Sequence, residues 1–190
     1  NPPLKFTFKA NSTGPQISLS SNDISFGTIP VLVPKTQELV VTNNSLIDAK
    51  FNCYIDSPTD SFTISPVEET IPANSSLPLT VTVLINDLLS FSGCLKLCFD
   101  YLDEISIPLK AQGSGSPITS SIDMKKIDFG YILTEQPAIK KFIMENKANR
   151  PFEIRFTPNK VQTPNNQRSD FVFTIEPEHV FIPGQSNQSF

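Results

Sequence analysis

This sequence predicts an all-β fold: two β-sandwiches in tandem, the second incomplete. Three observations lead there. First, Ile24-Ser25-Phe26-Gly27-Thr28-Ile29 returns as Ile127-Asp128-Phe129-Gly130-Tyr131-Ile132, one sandwich-sized interval later. Second, the echo continues in order: Asn146 falls opposite Asn43, Phe62-Thr63-Ile64-Ser65-Pro66 matches Phe173-Thr174-Ile175-Glu176-Pro177, and Ile71-Pro72 with Ser75 returns as Ile182-Pro183 with Ser186. Third, 17 Pro, 15 Phe, no Trp and abundant Val, Ile and Thr suit short strands and turns better than helices. At 190 residues and 38% hydrophobic, the chain has apolar material for two cores of about 100 residues each.

In the first repeat, alternation and turn residues predict strands over residues 16–21, 23–26, 36–43, 49–55, 61–64, 77–85, 93–101 and 104–111. Phe26 anchors the second strand in the core, and Gly27 lets the backbone bend as that strand leaves the sheet. Asn43-Asn44-Ser45 closes the third strand, Asp56-Ser57-Pro58 the fourth, and Pro72-Ala73-Asn74-Ser75 turns into the longest alternating run. In Cys94-Leu95-Lys96-Leu97-Cys98-Phe99-Asp100-Tyr101, alternation sets Leu95, Leu97, Phe99 and Tyr101 on one face and the cysteines on the other. Cys94 and Cys98 then lie about 13 Å apart, beyond disulfide reach. The second repeat carries an insertion, placed at residues 162–169.

The expected organisation is residues 1–14 as the final strand of a preceding module plus linker, 15–113 as the first module, 114–117 as a short linker, and 118–190 as a second module lacking its last strands. The first assignment rests on Leu4-Lys5-Phe6-Thr7-Phe8-Lys9-Ala10 before Gly14-Pro15, which matches Ile107-Pro108-Leu109-Lys110-Ala111 before Gly115-Ser116-Pro117. The chain is thus expected to begin and end inside repeats. A fragment of a longer array explains this, and strands donated by another chain are the alternative.

Function classes narrow quickly. A net charge of −4, with 15 Lys and Arg spread thinly, provides no basic stripe for phosphates, so nucleic acid is not an expected partner. No apolar run approaches the roughly 20 residues that span a bilayer. Three cysteines, an odd number, fit a reducing compartment, and with one histidine in the chain no metal site is expected. There is no Gly-rich phosphate loop and no Ser/His/Asp set, hence no catalytic residue and no cofactor. Glu176-Pro177-Glu178-His179, Glu68-Glu69 and Asp103-Glu104 are read as solvated turns.

The ordered set, Ile-x-Phe-Gly, a strand ending in Asn, Phe-x-Ile-x-Pro, then Ile-Pro and Ser before a long alternating strand, resembles the ASH domain family. These are the Ig-like modules of Hydin-like ciliary and centrosomal proteins, similar in turn to major sperm protein and PapD-like sandwiches. The resemblance covers one full module and most of another. It makes Phe26, Gly27, Asn43, Phe62, Pro66 and Pro72 core and turn positions of the first, and Phe129, Gly130, Asn146, Phe173, Pro177 and Pro183 those of the second. This sequence departs from the family at Leu84-Ile85-Asn86, where Phe-x-Pro often closes the long strand, and at Glu69, where Gly often precedes the Ile-Pro-Ser turn. The resemblance implies tandem Ig-like (ASH/PapD-like) sandwiches in a large non-catalytic scaffold of an axoneme or centrosome. The partners it implies are other proteins, axonemal or microtubule-associated, and neighbouring Ig-like modules.

On that reading the useful surface is sheet edge and loop. Candidates are the first strand, residues 16–21, and the loop 86–92, whose Leu88, Leu89 and Phe91 are unusually apolar; these side chains either contact a partner or cap the sandwich. The stretch Asp56-Ser57-Pro58-Thr59-Asp60-Ser61 would repel an acidic peptide. A secreted or periplasmic adhesion or chaperone sandwich is the alternative class. It draws on Asn-x-Ser/Thr triplets at Asn11, Asn43, Asn74 and Asn187, of which about three are expected from composition alone.

Overall fold

A computed structural model gives the structure of the chain and describes residues 3–9, 14–133, 136–157 and 173–190. Among the described residues there are fourteen β-strands and no helix. The chain divides into two compact units. The first holds residues up to Ile29, Val33–Ile85 and Ser90–Gln112; the second holds Pro30–Leu32, Asn86–Leu89 and Gly113–Phe190.

The first unit is built from β1 (Ile17–Leu19), β2 (Ile24–Pro30), β3 (Lys35–Asn43), β4 (Ala49–Asp56), β5 (Phe62–Ser65), β6 (Glu68–Ile71), β7 (Ser76–Val83), β8 (Ser90–Phe99) and β9 (Ile105–Ser114), except that the end residues Pro30 of β2 and Gly113 and Ser114 of β9 count with the second. They form a four-stranded sheet in the order β1-β3-β7-β5 and a five-stranded sheet in the order β2-β9-β8-β4-β6. Alternation sets the inner faces. Leu39 and Val41 of β3, Leu79, Val81 and Val83 of β7, Leu95 and Leu97 of β8, and Ile107 and Leu109 of β9 are fully buried. Each such side chain contributes about 1.5–3 kcal/mol of burial. Phe51 opposes Phe99 across β4 and β8 with ring centroids 5.6 Å apart. Phe26 of one sheet meets Phe62 of the other at 6.2 Å, closing the sandwich.

Several sequence expectations change. Gly27 does not end its strand: it lies inside β2 at φ 66°, and the buried residues step from Ile24 and Phe26 to Ile29. The left-handed glycine inserts one residue, as in a bulge, and so returns Ile29 to the core. Glu68-Glu69 is not a turn but the start of the edge strand β6, on which both are exposed and Ile71 alone is buried. Tyr101 does not join the apolar face of β8, because that strand ends at Phe99 and Tyr101 sits beyond it at φ 66°, 96% exposed. Ser114, expected to open the linker, is instead the last residue of β9. The loop expected over 86–92 is shorter, since β8 begins at Ser90. Residues 3–9 form no strand and are exposed, so the segment read as a preceding module's last strand has no sheet partner among the described residues.

The second unit has β10 (Ile118–Ser120), β11 (Ile143–Asn146) and β14 (Ser186–Ser189) in one sheet, and β12 (Phe152–Arg155) with β13 (His179–Ile182) in another. Its core centres on Phe142, Met144 and Ile182, with Ile118, Ile154, Val180 and Phe190 packed around them. Phe142 and Phe190 exchange both backbone hydrogen bonds, at 3.0 and 2.8 Å, and stack their rings at 5.2 Å. The stretch 127–132 forms no strand, unlike its counterpart β2. His179 belongs to β13 rather than to a turn. The insertion at 162–169 lies outside the described residues.

Candidate functional site

The duplicated signature becomes duplicated geometry. Asn43 ends β3 and points inward, where an amide is tolerated only if all its hydrogen bonds are made. Its Nδ2 donates to the carbonyls of Ile47 (2.8 Å), Ile71 (3.0 Å) and Pro72 (3.2 Å), and its Oδ1 accepts from the backbone N–H of Ser45 (3.0 Å). Asn146 ends β11 and repeats these four bonds: Nδ2 donates to Arg150 (2.8 Å), Ile182 (3.0 Å) and Pro183 (3.0 Å), and Oδ1 accepts from Ala148 N–H (3.0 Å); a fifth bond, from the Ser45 hydroxyl to Asn43 Oδ1, has no counterpart at Ala148. Both side chains are wholly buried. Each asparagine thereby ties the turn after its own strand to the end of a later one. Phe129 stacks on Phe173 at 5.6 Å as Phe26 meets Phe62. Gly130 has the same φ of 66° as Gly27, and the peptide bonds before Pro66 and Pro177 are both cis.

Side chains that sequence reasoning missed lie in the loop 86–89. Asp87 is buried within the second unit, and Arg150 Nε donates to both its oxygens, at 2.8 and 3.1 Å. The Arg150 guanidinium also lies 4.8 Å over the Phe152 ring. Asp87 Oδ1 accepts from Leu88 N–H at 2.6 Å, and Asn86 Nδ2 approaches Asn149 Oδ1 at 3.5 Å. The close fit leaves no room at Gly113, where a Cβ would stand 2.0 Å from the Asp87 carbonyl oxygen. A lone aspartate in an apolar loop was the sequence signal. Its partner, 63 residues away, had none.

The candidate contact residues do not behave as a set. Leu89 is 54% exposed, Leu88 is half-buried in the same loop, and Phe91 is half-buried in β8, opposite Ala111. On the outer face of the five-stranded sheet, Glu104 accepts from Lys96 (2.8 Å) and from the Tyr54 hydroxyl (3.1 Å), and the Lys96 ammonium foremost holds its carboxyl below the ordinary value. Burial, with Cys98 adding to it, pushes the Cys53 thiol up to about 11. All three cysteines are free. Glu153, held low by Arg155 first and His179 second, bonds His179 Nε2 at 2.6 Å. Among the described residues no group of three His, Cys, Asp or Glu could hold a metal ion, and no helix is long and apolar enough to cross a membrane.

Two facing antiparallel sheets, an asparagine-tied turn and a left-handed glycine after the core phenylalanine define an Ig-like structural module. The chain belongs to the HYDIN/CFA65/VesB-like Ig-like domain family, whose model matches residues 15–112. It is 33% identical over 120 residues to the human hydrocephalus-inducing protein homolog, a match covering 63% of this chain and 2% of that protein. To the mouse hydrocephalus-inducing protein it is 28% identical over 149 residues, covering 78% of this chain and 3% of that protein. The chain thus spans a few hundredths of the length of these relatives. Among solved structures it is similar to the ASH/PapD-like domain 7 of human CEP192, at 13% identity and a TM-score of 0.46, covering 60% of this chain and 99% of that one.

Proposed function

We propose that the chain is a non-catalytic scaffold segment of a large multi-module ciliary or axonemal, or centrosomal, protein, made of two tandem Ig-like sandwiches over residues 15–113 and 118–190. The observation that carries this reading is the duplicated asparagine turn. Four matching hydrogen bonds at each of Asn43 and Asn146 support one module used twice, and family membership supports the kind of module. Such modules act by holding partners at sheet edges and loops. In this chain the proposed contacts are the edge strand β1 and Leu88, Leu89 and Phe91, with Leu89 presenting most to solvent. The expected partners are other axonemal or microtubule-associated proteins and further modules of the same kind.

An immunoblot of salt-extracted cilia, detergent-soluble membrane and cytosol, with an antibody against this segment, tests the proposal. A very large band that resists extraction with the axoneme is expected. A soluble or secreted band near 21.0 kDa would overturn it and favour an adhesion or chaperone module.

A further inference from the structure

Because Asn43 Nδ2 binds the Ile47 carbonyl as Asn146 Nδ2 binds that of Arg150, Ile47 and Arg150 are equivalent positions of one turn, and Leu46 corresponds to Asn149. In the second unit that turn carries a polar contact, while Asn149 and Arg150 stay exposed at its rim. The loop 86–89 sits on it, with Asp87 chelated by Arg150 and Asn86 beside Asn149. In the first unit the same turn, held in the same shape, presents apolar side chains in their place: Leu46 is 83% exposed and Ile47 40% exposed. Two adjacent aliphatic side chains displayed at a turn fixed by a buried asparagine form a rigid apolar knob, not a solvated loop.

We propose that the turn at residues 44–48 docks the corresponding loop of a further Ig-like module, one carrying an apolar side chain where this chain has Asp87. This deepens the array reading and rests on it. The occupant follows from continuity with the contact seen at 147–151, and its chemistry from the substitution of Leu-Ile for Asn-Arg. A second copy of this chain is the wrong guest. Its Asp87 would be desolvated against Ile47 with no cation to receive it, beside the carboxylate of Asp48, which is bound to Ala73 N–H at 3.0 Å.

The test adds a module to the full chain. A copy of residues 15–117 replaces residues 1–16, so that Ile17 follows Pro117 as Ile118 does in the chain, and Leu46→Met in the copy gives its own turn peptide a distinct mass. Four versions combine Asp87 or Asp87→Leu in the added copy with Ile47 or Ile47→Arg in the receiving unit. Hydrogen exchange at residues 44–48 of the receiving unit is the readout. Asp87→Leu facing Ile47, and Asp87 facing Ile47→Arg, are expected to slow exchange roughly tenfold or more relative to the 190-residue chain, with the two mismatched versions within about twofold of it. Equal exchange in all four versions, whether fast or slow, would overturn the proposal. A soluble 21.0 kDa band on fractionation would instead overturn the cellular reading and leave this measurement standing.

Discussion

The two compact units contain the same local signature on very different foundations. The first places it in sheets of four and five strands. In the second it stands, among the described residues, on sheets of three and two strands around Phe142, Met144 and Ile182. Even so, the four shared asparagine bonds agree to within 0.2 Å between the units, the largest difference being Pro72 at 3.2 against Pro183 at 3.0 Å. The turn is therefore specified by its own hydrogen-bond stoichiometry. The size of the core decides how much is at stake when it fails. Ile29 and its counterpart Ile132 show the other side of this contrast, one fully buried and the other 56% exposed.

Substituting the asparagines probes the comparison most severely. Asn43→Asp turns a donor of three bonds into an acceptor facing three carbonyls, and should destabilise the first unit by at least about 4 kcal/mol. Asn146→Asp should unfold the second unit alone. Thermal melts with hydrogen exchange resolved by unit check both, and a silent Asn146→Asp would break the equivalence. Phe26→Ala should cost roughly 3–5 kcal/mol, because Phe26 is buried, whereas Phe129→Ala, at a half-buried site, should cost about half that by chemical denaturation.

Arg150→Ala leaves the Asp87 carboxylate buried without its cation, but Arg150 is about half exposed and the pair is partly screened. A loss of about 1–2 kcal/mol confined to the second unit is expected by the same melts, together with faster exchange at residues 86–89. Gly27→Ala and Gly130→Ala meet no atom within 4 Å, so each should cost only the left-handed backbone, about 1 kcal/mol. Near-equal losses would sharpen the claim that the signature is local.

The smallest effect is titrational. The folded Cys53 thiol keeps its proton to about 11 against an ordinary 9.0, so its contribution to stability is complete below 9.0 and drains away as pH rises toward 11. Alkylation at pH 8 should reach Cys94 and Cys98 before Cys53, which makes Cys53 a reporter of first-unit opening that second-unit substitutions leave untouched.

Much of this architecture was legible in residue order. Alternation reports a half-buried strand directly, so β3, β4 and β7 fell within two residues of expectation. Repetition marked the asparagines and the Phe-Gly pairs without any knowledge of their bonds. β6 escaped because Glu68-Glu69-Thr70 places one apolar residue, Ile71, at its end, and alternation needs more than one. Gly27 was recognised as a kink and misplaced as a terminus, since a bulge and a strand end look alike from one glycine. The loop 86–89 was read from its leucines, whereas its position is set by Asp87, whose meaning depends on a distant arginine that no local pattern reveals.

The asparagine turn also bears on how such a chain ages. Side-chain amides hydrolyse slowly and spontaneously to carboxylates, and at Asn43 and Asn146 that one-atom change is the most damaging available. Both amides are sealed from water and held on both nitrogen and oxygen, which withholds the mobility and the solvent that the hydrolysis requires. Asn44, next in the chain, is exposed and held on its nitrogen alone, by Ser18 Oγ at 2.9 Å. Mass spectrometry of protein held warm for weeks should find the change there well before it appears at Asn43. In an assembly that is not renewed, the first chemical wear would then fall on the surface of the turn and spare its centre.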